Sequence, residues 1–272
     1  MEHPYIHNLI KEEACDNYDF SKAPKLILSK KPISQQIKFI TTDEGTSKWL
    51  KLQNEFIAST KSKMVFNKSY IESGKRAYDS FFMKRGLVSG KILDIGGGWG
   101  LFRQWWNYTE SDIFIVHDPG VERFLNGPHQ FHYEYYTKAF KLPLTFVEGF
   151  GEELPYKDNT FDVCLAAAVL EHCVDPKKVL MEAYRCLLPG GSILVIINHE
   201  PRGRRLLKLL RYLTKPKILL TQIYNRLTCR VHQMHRFTPE QLRQMLTQVG
   251  FSKITATTTT DAAAIDVYEA RK

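Results

Sequence analysis

Five short apolar runs, separated by longer stretches of helical periodicity, dominate the chain from residue 91 onward. Each run is nearly continuous in apolar residues, which is typical of strands buried on both faces of a parallel sheet. The runs cover residues 92–95, 113–116, 144–147, 161–166 and 193–197. Their alternation with helices predicts an α/β fold with a doubly wound, mostly parallel, Rossmann-like sheet.

Capping and turn signals define the elements around these strands. Asp175 is the predicted N-cap of one helix, and residues 238–241 form a predicted capping box that opens another helix, which ends at Gly250. Two strand-like runs follow, near residues 254–259 and 264–270. The short turn between them predicts an antiparallel edge, which brings the predicted sheet to seven strands.

Residues 1–60 are polar and weakly periodic. A short strand over residues 37–40 and a short helix over residues 46–57 are the elements predicted there. We therefore divide the chain into an N-terminal extension of unknown role, residues 1–64, and one α/β domain, residues 65–272.

The composition argues against several classes of protein. The chain has 272 residues, of which 43% are hydrophobic and 25% charged, values typical of a soluble globular protein. No apolar run approaches the roughly 20 residues of a membrane span, and the first residues lack the pattern of a secretory signal. The five cysteines are scattered and form no Cys-x-x-Cys pair, which favours a reducing, cytoplasmic location.

The net charge of +9 is concentrated in one segment. Residues 201–239 contain ten Lys and Arg side chains and no Asp or Glu. On a helix, Arg204, Lys208, Arg211 and Lys215 would share one face beside a stripe of leucines. This pattern predicts a basic helical lid over residues 201–236, in contact with an anionic membrane surface or an acidic carrier protein.

A glycine-rich turn follows the first of the five strands. Asp94 lies at the end of that strand, and Gly96, Gly98 and Gly100 follow at alternate positions. The spacing differs from the Gly-x-Gly-x-x-Gly turn of dinucleotide enzymes, which binds a pyrophosphate. A carboxylate before glycines that allow close approach instead favours a ligand with an amino group or a positive charge. The alternative is a purely structural turn.

Polar residues also follow the later strands. Asp118 ends the second strand, where a carboxylate can accept both hydroxyl groups of a ribose; the alternative is a solvated strand end. Residues 148–155 follow the third strand, and residues 169–172 follow the fourth. In open α/β sheets, ligands bind at this carboxyl edge.

The ordered set of motifs resembles that of the class I S-adenosylmethionine-dependent methyltransferases, in particular the type 11-like branch that acts mostly on small molecules and lipids. The resemblance spans roughly residues 65–272. The segments that carry it are residues 94–100, 118, 152–155, 158–162, 170–172, 188–191, 237–242 and 250–251.

The resemblance implies S-adenosylmethionine as the cofactor. The implied cofactor-binding residues are Asp94, Gly96, Gly98, Gly100, Asp118, Gly151, Glu152 and Ala167. One position departs from the family, since Phe150 stands where an Asp often meets the adenine amino group. We expect the Phe150 ring to stack on the adenine and the backbone of Gly151 and Glu152 to read its edge.

A catalytic base is needed only if the acceptor must lose a proton. His172 follows the fourth strand and His199 the fifth, on the side where the acceptor should lie. Each is a candidate general base, and each could equally brace its loop. His232 and His235 have a metal-like spacing without a Cys or carboxylate nearby, so no metal site is predicted.

The predicted function is that of an S-adenosylmethionine-dependent methyltransferase acting on a small-molecule or lipid-linked acceptor. Two alternatives stay open: an RNA methyltransferase that binds phosphates through residues 201–239, and a non-catalytic scaffold that keeps the fold. RNA is the less favoured partner. Residues 1–60 contain no recognisable RNA-binding module, and no Asn/Asp-Pro-Pro-Tyr/Phe motif follows the fourth strand.

Overall fold

A nine-stranded sheet organises the described part of the chain. The computed structural model describes residues 5–23, 25–61, 68–121, 130–198, 234–259 and 265–272. Its strands are β1 (Tyr18–Asp19), β2 (Leu26–Ser29), β3 (Ile92–Ile95), β4 (Phe114–Asp118), β5 (Thr145–Glu148), β6 (Phe161–Ala167), β7 (Leu187–Asn198), β8 (Ser252–Thr258) and β9 (Ile265–Arg271).

The strand order places a topological switch point near the centre of the sheet. The order is β1-β2-β5-β4-β3-β6-β7-β9-β8. The strands from β2 to β7 in this order are parallel, whereas β9 is antiparallel to both of its neighbours. From β3 the chain moves outward through β4 and β5 on one side, and through β6 and β7 on the other. The predicted doubly wound sheet with an antiparallel edge is confirmed. Open α/β sheets generally bind their ligands at such a switch point, which here is formed by the carboxyl ends of β3 and β6.

Helices connect most of these strands. The α-helices described are α1 (Tyr5–Leu9), α2 (Glu12–Cys15), α3 (Ile33–Lys38), α4 (Asp43–Lys61), α5 (Lys68–Arg85), α6 (Gln130–Tyr135), α7 (Pro176–Cys186) and α8 (Pro239–Val249). Short 3₁₀ helices cover Leu101–Trp105, Ala139–Lys141 and Leu170–His172. The Asp175 side chain accepts a hydrogen bond from the Lys178 N–H, and Thr238 and Gln241 form the capping box, so both predicted helix starts are confirmed.

Alternate strand residues enter two separate apolar clusters. Leu93 and Ile95 belong to a cluster that includes residues of α7 and α8, whereas Ile92 belongs to one that includes residues of α5. This alternation is expected where both faces of a strand are covered. The five apolar runs coincide with β3 to β7, although β7 begins at Leu187 rather than at residue 193, because Leu187 already pairs with Phe161.

The prediction of a strand over residues 37–40 is wrong. These residues lie at the end of α3 and just beyond it, and Ile37 is fully buried. Ile33 and Ile37 are four residues apart, so a helix places them on one face. A short apolar run does not by itself distinguish this arrangement from a strand. The predicted helix over residues 46–57 lies within α4.

The N-terminal extension adds two strands to the seven that were predicted. β2 pairs in parallel with β5, and β1 pairs antiparallel with β2. Farther upstream, Ile10 forms a bridge with Tyr156, and the backbone N–H of Lys11 donates to the Pro155 carbonyl. Ile6, Leu9 and Ile10 are buried in the same cluster as β3 and β6. The extension is therefore part of the domain core over these residues.

The predicted basic lid lies almost entirely outside the described residues. Of residues 201–236, the structure describes 234–236. No helix among the described residues is long and apolar enough to cross a membrane.

The first prediction concerns the extension. Ile27 on β2 has no exposed surface, so Ile27→Ala should lower the free energy of unfolding by about 2–4 kcal/mol, because it leaves a cavity in the shared core. Met83→Ala on the exposed surface of α5 is the control and should change it by less than about 0.5 kcal/mol. Urea denaturation measures both. If the extension were an independent appendage, Ile27→Ala would leave the main unfolding midpoint unchanged.

Candidate active site

The glycine turn after β3 adopts a conformation that requires glycine. Gly96, Gly98 and Gly100 have φ values of +64°, +54° and +64°, a region that other residues seldom adopt. Space is also short at the first of them, since a Cβ on Gly96 would lie 2.2 Å from Cγ2 of Val169. The turn therefore packs closely against the segment that follows β6.

The Asp94 carboxylate lies directly beneath this turn. Asp94 has no exposed surface, and a Cβ on Gly97 would lie 2.3 Å from its carboxyl carbon. Among the described residues, no donor forms a hydrogen bond to either of its carboxylate oxygens. Burial raises its pKa well above the usual value, the nearby charge of Asp118 adds to the rise, and Arg103 opposes it. The group is thus poised to receive a cation or a hydrogen-bond donor from a ligand.

Arg103 holds the turn from the other side. Its guanidinium donates to three carbonyl oxygens: those of Gly100 at 3.0 Å, Trp99 at 3.3 Å, and Leu142. Burial lowers its pKa to about 10, which leaves the side chain charged at neutral pH. Sequence reasoning missed this residue; its only signal was one charge inside the apolar stretch from residue 101 to 106.

Asp118 occupies the predicted position at the end of β4. It is in register with Glu148 of β5, and its Oδ1 accepts a hydrogen bond of 2.7 Å from the Gly120 N–H. The carboxylate is buried and lies close enough to Asp94 to raise the pKa of that group. The structure thus brings both predicted acids to one edge of the sheet.

Hydrogen bonds of Glu152 connect the segment after β5 to the segment after β6. The Glu152 carboxylate accepts hydrogen bonds from the N–H groups of Val174 at 2.8 Å and Asp175 at 3.2 Å, and its pKa is raised, mainly by burial. Its side chain therefore bridges two loops of the protein. Gly151 beside it is tightly enclosed, since a Cβ there would lie 2.7 Å from Cγ2 of Ile95.

Helices of the N-terminal extension cover these loops. The Trp49 ring of α4 packs edge-to-face on Phe150 with 5.0 Å between ring centroids, and its indole N–H donates to the His172 carbonyl at 3.2 Å. Ile37 and Met234 join the same apolar cluster. Sequence reasoning missed Trp49, because a helix far from the glycine turn gives no local sign of where it docks.

The segment after β6 brings further predicted residues to the same edge. Ala167 ends β6, and Ala168 has a φ of +52°, which turns the chain towards the glycine turn. Glu171 is 3% exposed and has no donor to its carboxylate among the described residues; burial raises its pKa. His172 is partly exposed at the end of its 3₁₀ helix. His199 lies outside the described residues.

The end of the predicted lid returns to this edge. The Glu171 carbonyl accepts hydrogen bonds from the N–H groups of Met234 and His235, at 2.7 and 3.1 Å. The His235 ring stacks on Phe237, and its Nε2 lies 3.2 Å from the Val174 carbonyl. Residues 234 and 235 thus pack onto the loops at the carboxyl edge.

Comparison with known proteins agrees with this geometry. A family profile described as a methyltransferase domain matches residues 93–195. A rice 2-methyl-6-phytyl-1,4-hydroquinone methyltransferase, chloroplastic, is 34% identical over 39% of this chain, a match that spans only 28% of the relative. A ubiquinone/menaquinone biosynthesis C-methyltransferase from Shewanella sp. (strain W3-18-1) is 30% identical over 63% of this chain and 70% of its own length.

A solved structure shares the fold. A chain in the complex between the Haloferax volcanii Trm112 methyltransferase activator and a methyltransferase aligns with 75% of this chain and 92% of its own, with a TM-score of 0.53 at 14% identity.

The Shewanella relative shares nearly a third of its aligned positions over more than two thirds of its length. With the sheet order and the glycine turn, this match shows that the chain belongs to the class I S-adenosylmethionine-dependent methyltransferases.

Proposed function

We propose that the protein transfers the methyl group of S-adenosylmethionine to a small-molecule or lipid-linked acceptor, of the hydroquinone class. The observation that supports S-adenosylmethionine as the methyl donor is the state of Asp94. Its carboxylate is fully buried and accepts no hydrogen bond from the described residues. A ligand that brings an amino group and a sulfonium charge supplies what this carboxylate lacks. The acceptor class rests on the names of the rice and Shewanella relatives.

The proposed cofactor contacts follow the carboxyl edge of the sheet. Bound there, S-adenosylmethionine supplies a methyl group activated by its positive sulfur. Asp94 would hold the amino group, Asp118 would accept the ribose hydroxyls, and the three turn glycines would allow close approach of the ligand. Gly151, Glu152 and Ala167 would complete the site through their backbone. These residues position and shield the ligand, which is the main task of a protein whose cofactor carries the reactivity.

A buried apolar cluster closes the loops beside the proposed site. Trp49, Phe150 and Ile37 are buried together where the two loops meet. Such a cover excludes water, which would otherwise compete as a methyl acceptor and weaken electrostatic contacts. His172 would act as the base for an acceptor hydroxyl, from its partly exposed position beside this cover.

We further propose that residues 201–239 contact an anionic surface or carrier that presents the acceptor. The support is the run of ten basic residues without an acid, of which the exposed Arg236 is described. A cytoplasmic protein peripheral to the membrane would fit an acceptor with a lipid tail.

The proposed function is tested by methyl transfer from labelled S-adenosylmethionine to a panel of acceptors. We expect a prenylated benzoquinol or naphthoquinol, kept reduced, to be methylated, and the corresponding quinone not to be, since only the reduced ring is electron-rich. Total tRNA and rRNA serve as comparison substrates. Methylation of RNA with none of the quinols would contradict the proposed acceptor, and cofactor binding without transfer to any acceptor would favour the scaffold.

A prediction about the cofactor site concerns the substitution Asp94→Asn. The change keeps the shape and removes the negative charge, so the dissociation constant of S-adenosylmethionine should rise at least about tenfold in isothermal titration calorimetry. The raised pKa of Asp94 also predicts the direction of a pH dependence. The affinity of the wild-type protein for S-adenosylmethionine should fall as the pH falls through that pKa, because a proton then competes with the ligand for the carboxylate. The amide of the Asp94→Asn variant does not titrate, so its affinity should lack this pH dependence.

The same variant gives an independent readout in the absence of ligand. An acid whose pKa is raised in the folded state lowers the stability of the fold once the pH rises above its ordinary, unfolded-state pKa. Without cofactor, Asp94→Asn should therefore melt at or above the wild-type temperature at pH 7. Asp16→Asn, at an exposed residue just after α2, is the control for both measurements. Wild-type affinity in Asp94→Asn would contradict the assigned role.

The third prediction for this site concerns Trp49→Phe, which keeps an aromatic ring on Phe150 but removes the hydrogen bond to the His172 carbonyl. The acceptor KM should rise about three- to tenfold, the effect of one lost hydrogen bond, while the cofactor dissociation constant stays within about twofold. Lys48→Ala, on an exposed neighbour, is the control. A loss of cofactor affinity with an unchanged KM would contradict the interpretation that α4 shapes the acceptor side.

A further inference from the structure

His117 lies between the two loops that flank the proposed cofactor site. It is a fully buried residue of β4, next to Asp118. Its backbone carbonyl accepts a hydrogen bond of 2.8 Å from the Gly96 N–H in the glycine turn. Its side chain faces the loop after β5, where Nε2 lies 3.2 Å from the Phe150 carbonyl oxygen. One residue therefore contacts both loops.

The hydrogen bonds of the ring define its tautomer. A carbonyl oxygen can only accept, so Nε2 must carry the proton that is donated to Phe150. Burial lowers the pKa of His117 to about 4, and a neutral ring has one N–H. Nδ1 is then the acceptor for the Tyr156 hydroxyl, 3.1 Å away. Tyr156 is itself fully buried, so this chain of donors runs in one direction.

This arrangement also defines the direction of the next peptide N–H. In a planar trans peptide the C=O and N–H bonds are antiparallel. Because the Phe150 carbonyl faces His117, the Gly151 N–H faces away from His117. Gly151 is buried, and its N–H has no hydrogen-bond acceptor among the described residues. A buried backbone N–H without an acceptor is rare in folded proteins, so a ligand atom is its expected partner.

We propose that His117 is a positioning residue that selects adenine: it holds the Phe150–Gly151 peptide so that the Gly151 N–H meets a ring nitrogen that can accept a hydrogen bond. The proposal rests on the proposed cofactor. Adenine presents such an acceptor at N1, whereas hypoxanthine carries a proton there. The Gly151 N–H would thus distinguish the two bases, and the buried His117 side chain would fix the direction of that N–H.

The ring also limits how far the loop can move. A Cβ on Gly149 would lie 2.7 Å from both Cε1 and Nε2 of His117, so the loop backbone rests directly on the imidazole. The Phe150 carbonyl also accepts from the Glu153 N–H at 3.1 Å. A side chain without a donor at position 117 would leave this peptide held from one side only, and rotation of the peptide would turn the Gly151 N–H away.

The test compares S-adenosylhomocysteine with S-inosylhomocysteine in isothermal titration calorimetry. Wild-type protein should bind the adenosyl ligand at least about tenfold more tightly, since two N–H donors would face each other in the inosyl complex. In His117→Leu this ratio should fall towards one, because the peptide is free to rotate. His117→Gln, which offers both a donor and an acceptor, should restore most of the ratio.

The control variant separates positioning from general loss of stability. Leu194→Ala shortens a fully buried side chain of β7 that belongs to the apolar cluster of α5, whereas Tyr156 belongs to the cluster on the other face of the sheet. It should lower stability without changing the ratio. An unchanged ratio in folded His117→Leu would overturn the proposal. Absence of adenosyl binding in folded wild-type protein would overturn the proposed function, and this proposal with it.

A second measurement depends neither on ligand nor on a stable His117→Leu variant. In protein labelled with ¹⁵N-histidine, the imidazole signal that disappears in His117→Gln identifies residue 117. At pH 7 this signal should report a single neutral tautomer with the proton on Nε2. A proton on Nδ1, a mixture of tautomers or an imidazolium would overturn the proposed orientation of the peptide.

Discussion

The buried charge of Asp94 is the constraint around which the rest of the site is arranged. A carboxylate with no exposed surface and no donor among the described residues is unfavourable in the empty protein. It is kept in place because β3 is flanked on both sides by parallel strands, and because the turn above it is fixed by Arg103 and by the carbonyl of His117. The free protein is therefore less stable because of this carboxylate, and a positively charged ligand bound there would raise its stability.

Much of this frame could be predicted from the sequence. The apolar runs that predict β3 to β7 are short and nearly continuous, and strong caps at Asp175 and Thr238 fix where two helices begin. The glycines at 96, 98 and 100 are recognisable because positive φ leaves almost no other choice. In each case the information is local: a run, a cap or a turn carries its own signal, and the parallel topology then brings Asp94 and Asp118 to one edge.

The parts that could not be predicted depend on contacts between distant segments. The sequence predicted a role for the backbone of Glu152; that its side chain joins two loops is revealed only by the fold. The apolar residues of α3 suit a helix or a strand equally well, and the choice depends on burial against Trp49 and Phe150. The bonds of His117 are equally invisible in sequence, because in β4 it occupies a position that reads simply as one more strand residue.

The pairing of β2 with β5 has a consequence for how the chain is made. Ser29 and Glu148, which share a hydrogen bond at this junction, are 119 residues apart. At synthesis rates of about 5–20 residues per second, β2 leaves the ribosome roughly 6–24 seconds before its partner exists. During that interval Leu26 and Ile27, both buried in the finished protein, have no strand to join. Burial of this segment therefore has to wait for β5, and a chaperone has an opportunity to bind there during that interval.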